Sequence, residues 1–211
     1  LDPANTDSYS GSGTAWNDLS GNGNSLTLYG SPAVSSGAFS FNGSNQWASA
    51  GDNDNLDPAV TTVEVYTQAT SEATLTHVID ILGKGDWNAA YGHWYLGYKS
   101  GGSLSFVQGI SSWANGPSYS LGSFDATQWH QIVGSNDGVT AKLYVDGALV
   151  ASTGANLGAR VLNNHPFDIA RSSYTSNFYG GKIGVVRIYN RGLSDTEVAQ
   201  NFSATKARYG L

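Results

Sequence analysis

The chain has 211 residues, of which 27 are Gly, 12% are charged and none is Cys or Met, so disulfides and thiolate metal sites are ruled out. Its formal charge is −6 and its ten Lys and Arg are scattered, so there is no basic stripe to neutralise phosphates and nucleic acid is not the expected partner. No apolar run approaches the roughly 20 residues that span a bilayer, which argues against membrane insertion, and no secretory signal is visible. From the lack of Met, even at position 1, the expectation is a processed product or a domain cut from something larger.

Period-2 alternation dominates, and Gly and Asn punctuate it. After a polar strap from Asp2 to Gly13, Ala38-Phe39-Ser40-Phe41 alternates and stops at Asn42-Gly43. Thr61 to Thr67 reads as a strand with Val63 and Val65 on one face, Glu64 and Tyr66 on the other. His77 to Leu82 is apolar enough for a buried strand, and His93–Tyr98 and Ser103–Ile110 flank a hairpin turn at Ser100-Gly101-Gly102. Trp129–Val133 and Val139–Val145 are strands on either side of Asn136-Asp137-Gly138. Asp146-Gly147 is a two-residue turn of the type that needs positive φ, and Ala148–Ser152 returns from it. Such a turn fixes register, setting Val145 against Ala148 and Leu143 against Val150. Ile183–Tyr189 is a further strand. Ser194-Asp195-Thr196-Glu197 is a capping box opening a short helix, about Asp195 to Phe202, with Leu193 and Val198 placed as its hydrophobic staple. With no linker or repeat, residues 1–211 form one all-β sandwich domain.

Several motifs carry a family resemblance. They are Trp16-Asn17-Asp18-Leu19-Ser20-Gly21-Asn22-Gly23-Asn24, Phe39-Ser40-Phe41-Asn42-Gly43, Thr62-Val63-Glu64-Val65-Tyr66, Leu143-Tyr144-Val145-Asp146-Gly147 and the closing Arg187-Ile188-Tyr189-Asn190-Arg191-Gly192-Leu193-Ser194. The chain resembles the laminin-G-like/pentraxin branch of the concanavalin A-like lectin/glucanase superfamily over nearly its whole length. Gly184 and Val185 stand where the resembled motif has an acidic pair, and Asn42 and Gln46 where carboxylates are common. The resemblance implies a jelly-roll of two antiparallel sheets. It also implies a domain that binds glycans or surfaces within an extracellular, cell-surface or virion protein. Trp16, Trp47 and Trp129 match scaffold positions and read as core.

Hydrolysis of a glycosidic bond needs two placed carboxylates. Only three Glu occur: Glu64, Glu72 and Glu197, the last used in the helix cap. Asp80 lies in an apolar strand with no acidic residue two positions away, which leaves only a cross-strand pair to consider. The expectation is therefore a domain that is not an enzyme.

Flat aromatic rings stack on sugar faces and carry a polar edge. Trp87 and Tyr91 in a Gly/Asn/Ala loop, Trp113 after it, and Tyr174 in a smaller cluster with Phe178 and Tyr179 are the expected ligand contacts, while Trp94, Tyr95 and Tyr98 read as core. Asp52, Asp54 and Asp57 cluster in Gly51-Asp52-Asn53-Asp54-Asn55-Leu56-Asp57, a concentration of oxygens suited to a hard cation. The loop is not an EF-hand, because Asp57 and Val63 occupy its Gly and Glu positions. The resemblance, in which structural calcium is frequent, makes Ca²⁺ the candidate cofactor. Asp18, near Asn22 and Asn24, is a second candidate ligand. The leading functional reading is a non-catalytic carbohydrate-binding or adhesion module whose partner is a glycan or surface polysaccharide. The others are a structural spacer or decoration domain binding protein or itself, and a glycan hydrolase or lyase.

Overall fold

The computed structural model describes residues 1–57, 60–75, 77–85, 93–109, 116–154, 163–172 and 177–211. Among them the strands run in chain order as β1 (Ala15–Trp16), β2 (Leu26–Tyr29), β3 (Ala33–Ser35), β4 (Ala38–Asn42), β5 (Trp47–Ser49), β6 (Thr61–Ala69), β7 (Ile79–Lys84) and β8 (His93–Lys99). They continue as β9 (Ser103–Gly109), β10 (Ser118–Ser120), β11 (His130–Asn136), β12 (Thr140–Val145), β13 (Ala148–Gly154), β14 (Phe167–Ile169) and β15 (Gly180–Tyr189), followed by the helix α1 (Asp195–Thr205). Two antiparallel sheets result. One has the order β1-β2-β5-β14-β7-β8-β9-β10, the other β13-β12-β11-β6-β15-β4-β3.

The alternation of the sequence builds the interface between them. Val63 and Val65 of β6, Ile132 of β11 and Ile183 and Val186 of β15 face Leu28, Ile81, Leu96, Phe106 and Phe167 from the other sheet, all buried in one core with Trp16 and Phe39. Each such side chain contributes about 1.5–3 kcal/mol by leaving water. At Gly134 a Cβ would collide with the Phe106 ring, so β11 carries no side chain where that ring crosses from the opposite sheet. The outer face of the seven-stranded sheet is also covered. Tyr66, Val185 and Tyr209 form one small cluster there, and Val133, Tyr144, Leu193 and Val198 another beneath α1.

The capping box is present: Ser194 Oγ accepts from the Glu197 N–H (3.3 Å) and Glu197 Oε2 accepts from the Ser194 N–H (2.9 Å). The helix runs past the expected Phe202 to Thr205. Its first turn is tied to the sheet by Asp195, whose Oδ1 accepts from Lys142 Nζ and Tyr144 Oη, each at 2.8 Å. The chain ends are joined as well, with Arg208 Nη1 donating to Asp2 Oδ2 (2.8 Å).

Three expectations change: the register of the Asp146-Gly147 hairpin, and the core placement of Trp47 and of Trp129, the latter part-buried against Tyr209 on the outer face of the seven-stranded sheet. The Asp146-Gly147 turn has φ of 52° and 78°, and Val145 faces Ala148, both as its sequence dictates. One step on, Tyr144 faces Leu149 but Leu143 faces Ala151, because Val150 bulges out of β13. Trp47 is only half-buried and belongs to the outer face of the eight-stranded sheet, where it stacks on its cross-strand partner Tyr29 with centroids 4.6 Å apart. Arg171 lies over the Trp47 ring, 4.7 Å from its centroid. Alternation forces this: Ala48 takes the inward position, so Trp47 points out.

Candidate functional site

A cleft of about 660 Å³ opens between the two sheets at one end of the sandwich. Small-molecule sites are usually about 300–1,000 Å³. The loop between β1 and β2 contributes Asp18, Ser20, Asn22 and Asn24. A single 3-10 turn, Asp54–Leu56, lies across from it, and Phe167 with the end of β15 closes the back. The lining combines the amides and hydroxyls of Ser20, Asn22, Asn24, Asn55 and Asn190 with the charged Asp18, Asp54 and Arg187, and is apolar at Leu56, Phe167 and Ile188.

The loop is shaped by its own side chains. Asp18 Oδ1 accepts from the Ser20 N–H (2.9 Å), and Oδ2 accepts from Ser20 Oγ (2.8 Å) and the Asn24 N–H (3.0 Å). Partial burial would raise the Asp18 pKa, but these donors outweigh it and hold the carboxyl below its usual range. Asn53 Nδ2 donates to Asn24 Oδ1 (2.6 Å), pinning the loop to the 3-10 turn, which Asn53 itself caps by accepting from the Asn55 N–H (3.0 Å). Ser20, Asn22 and Asn55 are left exposed at the mouth. Such groups donate and accept together, which is what a polyhydroxylated ligand requires.

Beside the cleft the structure brings Asp52, Asp54 and Asp57 together, with one oxygen of each within 4.8 Å of the others. Among the described residues this is the one group of three or more such side chains that close. The sequence reading missed what faces them. Lys84 Nζ donates to Asp52 Oδ1 (2.8 Å), Asp57 Oδ2 (2.8 Å) and the Asn163 carbonyl (3.0 Å). Its side chain is fully buried. Lys84 ends β7, between Trp94 of β8 and Phe167 of β14 in the register, and Trp94 Nε1 donates to the Leu56 carbonyl (2.8 Å).

The aromatic candidates Trp87, Tyr91, Trp113 and Tyr174 lie outside the described residues. Trp94, Tyr95 and Tyr98 are buried as expected, Trp94 and Tyr98 in the central core. Tyr179 is buried against Thr67 (2.7 Å), and Phe178 packs near Trp47.

Glu64, Glu72, Asp80 and Asp168 are engaged by the scaffold or enclosed. Glu64, wholly buried, accepts from Gln131 Nε2 (2.8 Å), Arg187 Nη1 (2.9 Å) and Asn201 Nδ2 (2.9 Å). Glu72 Oε1 accepts from the Ala126 N–H (2.9 Å). Two acids do lie on neighbouring strands of the eight-stranded sheet, although Asp168 is paired in register with Gly83 and not with Asp80. Asp80 of β7 and Asp168 of β14 are both buried, and Arg171 Nη2 donates to Asp168 Oδ2 (2.6 Å). Burial pushes the Asp80 carboxyl up to about 7, the Ser172 hydroxyl opposes the rise and the Asp168 charge adds to it.

A laminin-G-type family model, described as the concanavalin A-like lectin/glucanases superfamily, matches residues 41–199. The chain belongs to that superfamily. No curated protein matches it by sequence. Among solved structures, this superfamily member is similar to domain 4 of AbnA, a GH43 extracellular arabinanase from Geobacillus stearothermophilus, solved in complex with arabinotriose. That match has a TM-score of 0.72 at 18% identity, covering 87% of this chain and 90% of that one. It is also similar to the botulinum neurotoxin serotype G binding domain, with a TM-score of 0.71 at 18% identity over 90% of this chain and 48% of that one. The binding domain of botulinum neurotoxin DC in complex with SialylT matches with a TM-score of 0.69 at 15% identity, over 89% and 48%. The chain thus spans about half of each toxin domain. At these identities the likeness is one of fold.

Proposed function

We propose that this domain is a non-catalytic carbohydrate-binding module of an extracellular or surface protein, and that the cleft between the β1–β2 loop and the Asp54–Leu56 turn receives the glycan. The observation that carries this reading is the amide- and hydroxyl-rich mouth of the cleft, where Ser20, Asn22 and Asn55 are exposed beside the charged Asp18, Asp54 and Arg187, over an apolar wall of Leu56, Phe167 and Ile188. Sugars present hydroxyls and apolar C–H faces together, and both have counterparts here. The fold neighbours support the ligand class, since one was solved with arabinotriose. Trp87, Tyr91, Trp113 and Tyr174 are assigned as additional stacking contacts. Non-catalysis is supported by Glu64, Glu72 and Glu197, each engaged by the scaffold, and by the ion pair that takes Asp168.

A glycan array followed by calorimetry with the best oligosaccharide, arabinotriose included, tests the reading. Asn22→Ala combined with Asn55→Ala is expected to lower affinity at least tenfold with the melting temperature unchanged. Full affinity in that variant would remove the cleft from the proposal. An array with no hits, alongside a defined oligomer by sedimentation, would favour a structural spacer domain. Hydrolysis of a polysaccharide that disappears in Asp80→Asn would overturn non-catalysis.

A further inference from the structure

We propose that the ammonium of Lys84 is the resident cation of the Asp52–Asp54–Asp57 cluster, standing where a hard metal ion would otherwise sit and holding the cleft-side loop without calcium. A lysine ammonium has three N–H donors. Here three acceptors take them, Asp52 Oδ1 and Asp57 Oδ2 at 2.8 Å and the Asn163 carbonyl at 3.0 Å, with Asn163 Oδ1 next at 3.4 Å. Calcium binds six to eight oxygens at about 2.3–2.6 Å. The oxygens of Asp52, Asp57 and Asn163 stand at hydrogen-bonding distance from Nζ instead.

The stem is as closely fitted as the head. Lys84 lies between Phe167 and Trp94 in the sheet register, and those two rings stack with centroids 5.6 Å apart. A lysine buries its methylenes along apolar surface and delivers its charge at the far end, and this one delivers it into a ring of oxygens. Asp57 is 4% exposed in its side chain, so its charge needs a close cation, and Lys84 is already in contact with it. Asn163 completes the arrangement by donating from Nδ2 to Asp57 Oδ1 (3.3 Å). A divalent ion entering this site would have to displace a buried ammonium or share the cavity with it, and the two like charges would repel at contact distance.

The test is thermal unfolding of the whole domain in millimolar calcium and in excess EGTA, with calorimetry using calcium alone. The wild type is expected to melt at one temperature in both conditions and to give no calcium-binding heat. Lys84→Met keeps the stem and removes the charge. It is expected to lose roughly 10 °C in EGTA and to recover part of that loss as calcium is added. If the variant does not fold in EGTA, folding on calcium addition reports the same gain. A variant that shows no calcium response in stability or folding would overturn the view that the ammonium stands in a metal position. A wild-type melting temperature that falls on chelation would overturn the proposal outright.

Discussion

His130 Nδ1 lies 2.8 Å from Asp146 Oδ2, joining the first residue of β11 to the turn between β12 and β13. The same carboxylate accepts from the Gln131 N–H through Oδ1 (2.9 Å), and the other ring nitrogen of His130 meets the Asp125 carbonyl (2.9 Å). Partial burial pulls the His130 pKa down, but the bond to Asp146, the Asp125 carbonyl and the charges of both acids pull harder, and the net shift is upward.

That shift predicts a pH dependence. A histidine whose folded pKa is raised binds its proton more tightly in the native state. Its contribution is complete below the unfolded value of about 6.5 and is lost as pH rises through the folded value. Asp146→Asn should remove most of this dependence while keeping the turn, because Asn tolerates positive φ. The expected loss is about 1 kcal/mol at pH 5.5 and less at pH 8.5, read from urea melts at the two pH values. An equal loss at both would show that the charge on His130 does not contribute.

Asp80 works in the opposite direction. Its folded pKa of about 7 is above the ordinary carboxylate value of 3.8, so the native state holds a proton that the unfolded chain releases. Stability from this group is therefore unaffected at pH 3 and falls progressively between pH 4 and 7, by about 4 kcal/mol at most. Asp80→Asn removes the ionisation. The variant should be more stable than wild type at pH 8 and equal to it at pH 4, by chemical denaturation.

Glu64 tests the buried network under the helix. Its two oxygens receive donors from Gln131, Arg187 and Asn201. Glu64→Gln keeps the volume but puts an N–H₂ where an oxygen accepted, so donor faces donor in a buried site. A loss of about 2–3 kcal/mol is expected from denaturant midpoints. A loss below 0.5 kcal/mol would mean the network rearranges freely.

The contrast between the scaffold and the site explains what the sequence reveals. The strands from Thr61 and His130, the turn at Asp146 and the capping box at Ser194 are set by neighbours within a few residues, and all appear close to where alternation and turn chemistry place them. The Val150 bulge arises from fitting β13 to β12 in the folded sheet, which no local pattern encodes. The acidic trio is local and was legible. Lys84 was not, because its partners lie 27 and 32 residues before it and 79 after it, and a strand read as ending at Leu82 gave no hint that a lysine two positions on points inward. The cleft is hidden for the same reason: its two walls meet only when the sheets close.

Gly184 shows such a long-range demand acting on a single position. The family resemblance leads one to expect an acidic residue there, yet a Cβ at Gly184 would collide with the Tyr209 hydroxyl. That hydroxyl accepts from the Val185 N–H at 2.9 Å, and the Tyr209 ring stacks on Tyr66 with centroids 4.6 Å apart. The C-terminal segment therefore docks through a tyrosine seated on a bare stretch of β15, between the breaks in its pairing with β6 at Ile183 and Val186. Gly184→Ala must either expel Tyr209 or bend β15. Expelling it exposes the ring and strands the Val185 amide, a loss of about 2–4 kcal/mol. Tyr209→Phe keeps the ring and removes only the hydroxyl. It should cost about 1 kcal/mol alone and reduce the penalty of Gly184→Ala in the double variant. Strictly additive losses in that cycle would show that the hydroxyl is not what excludes a side chain at 184.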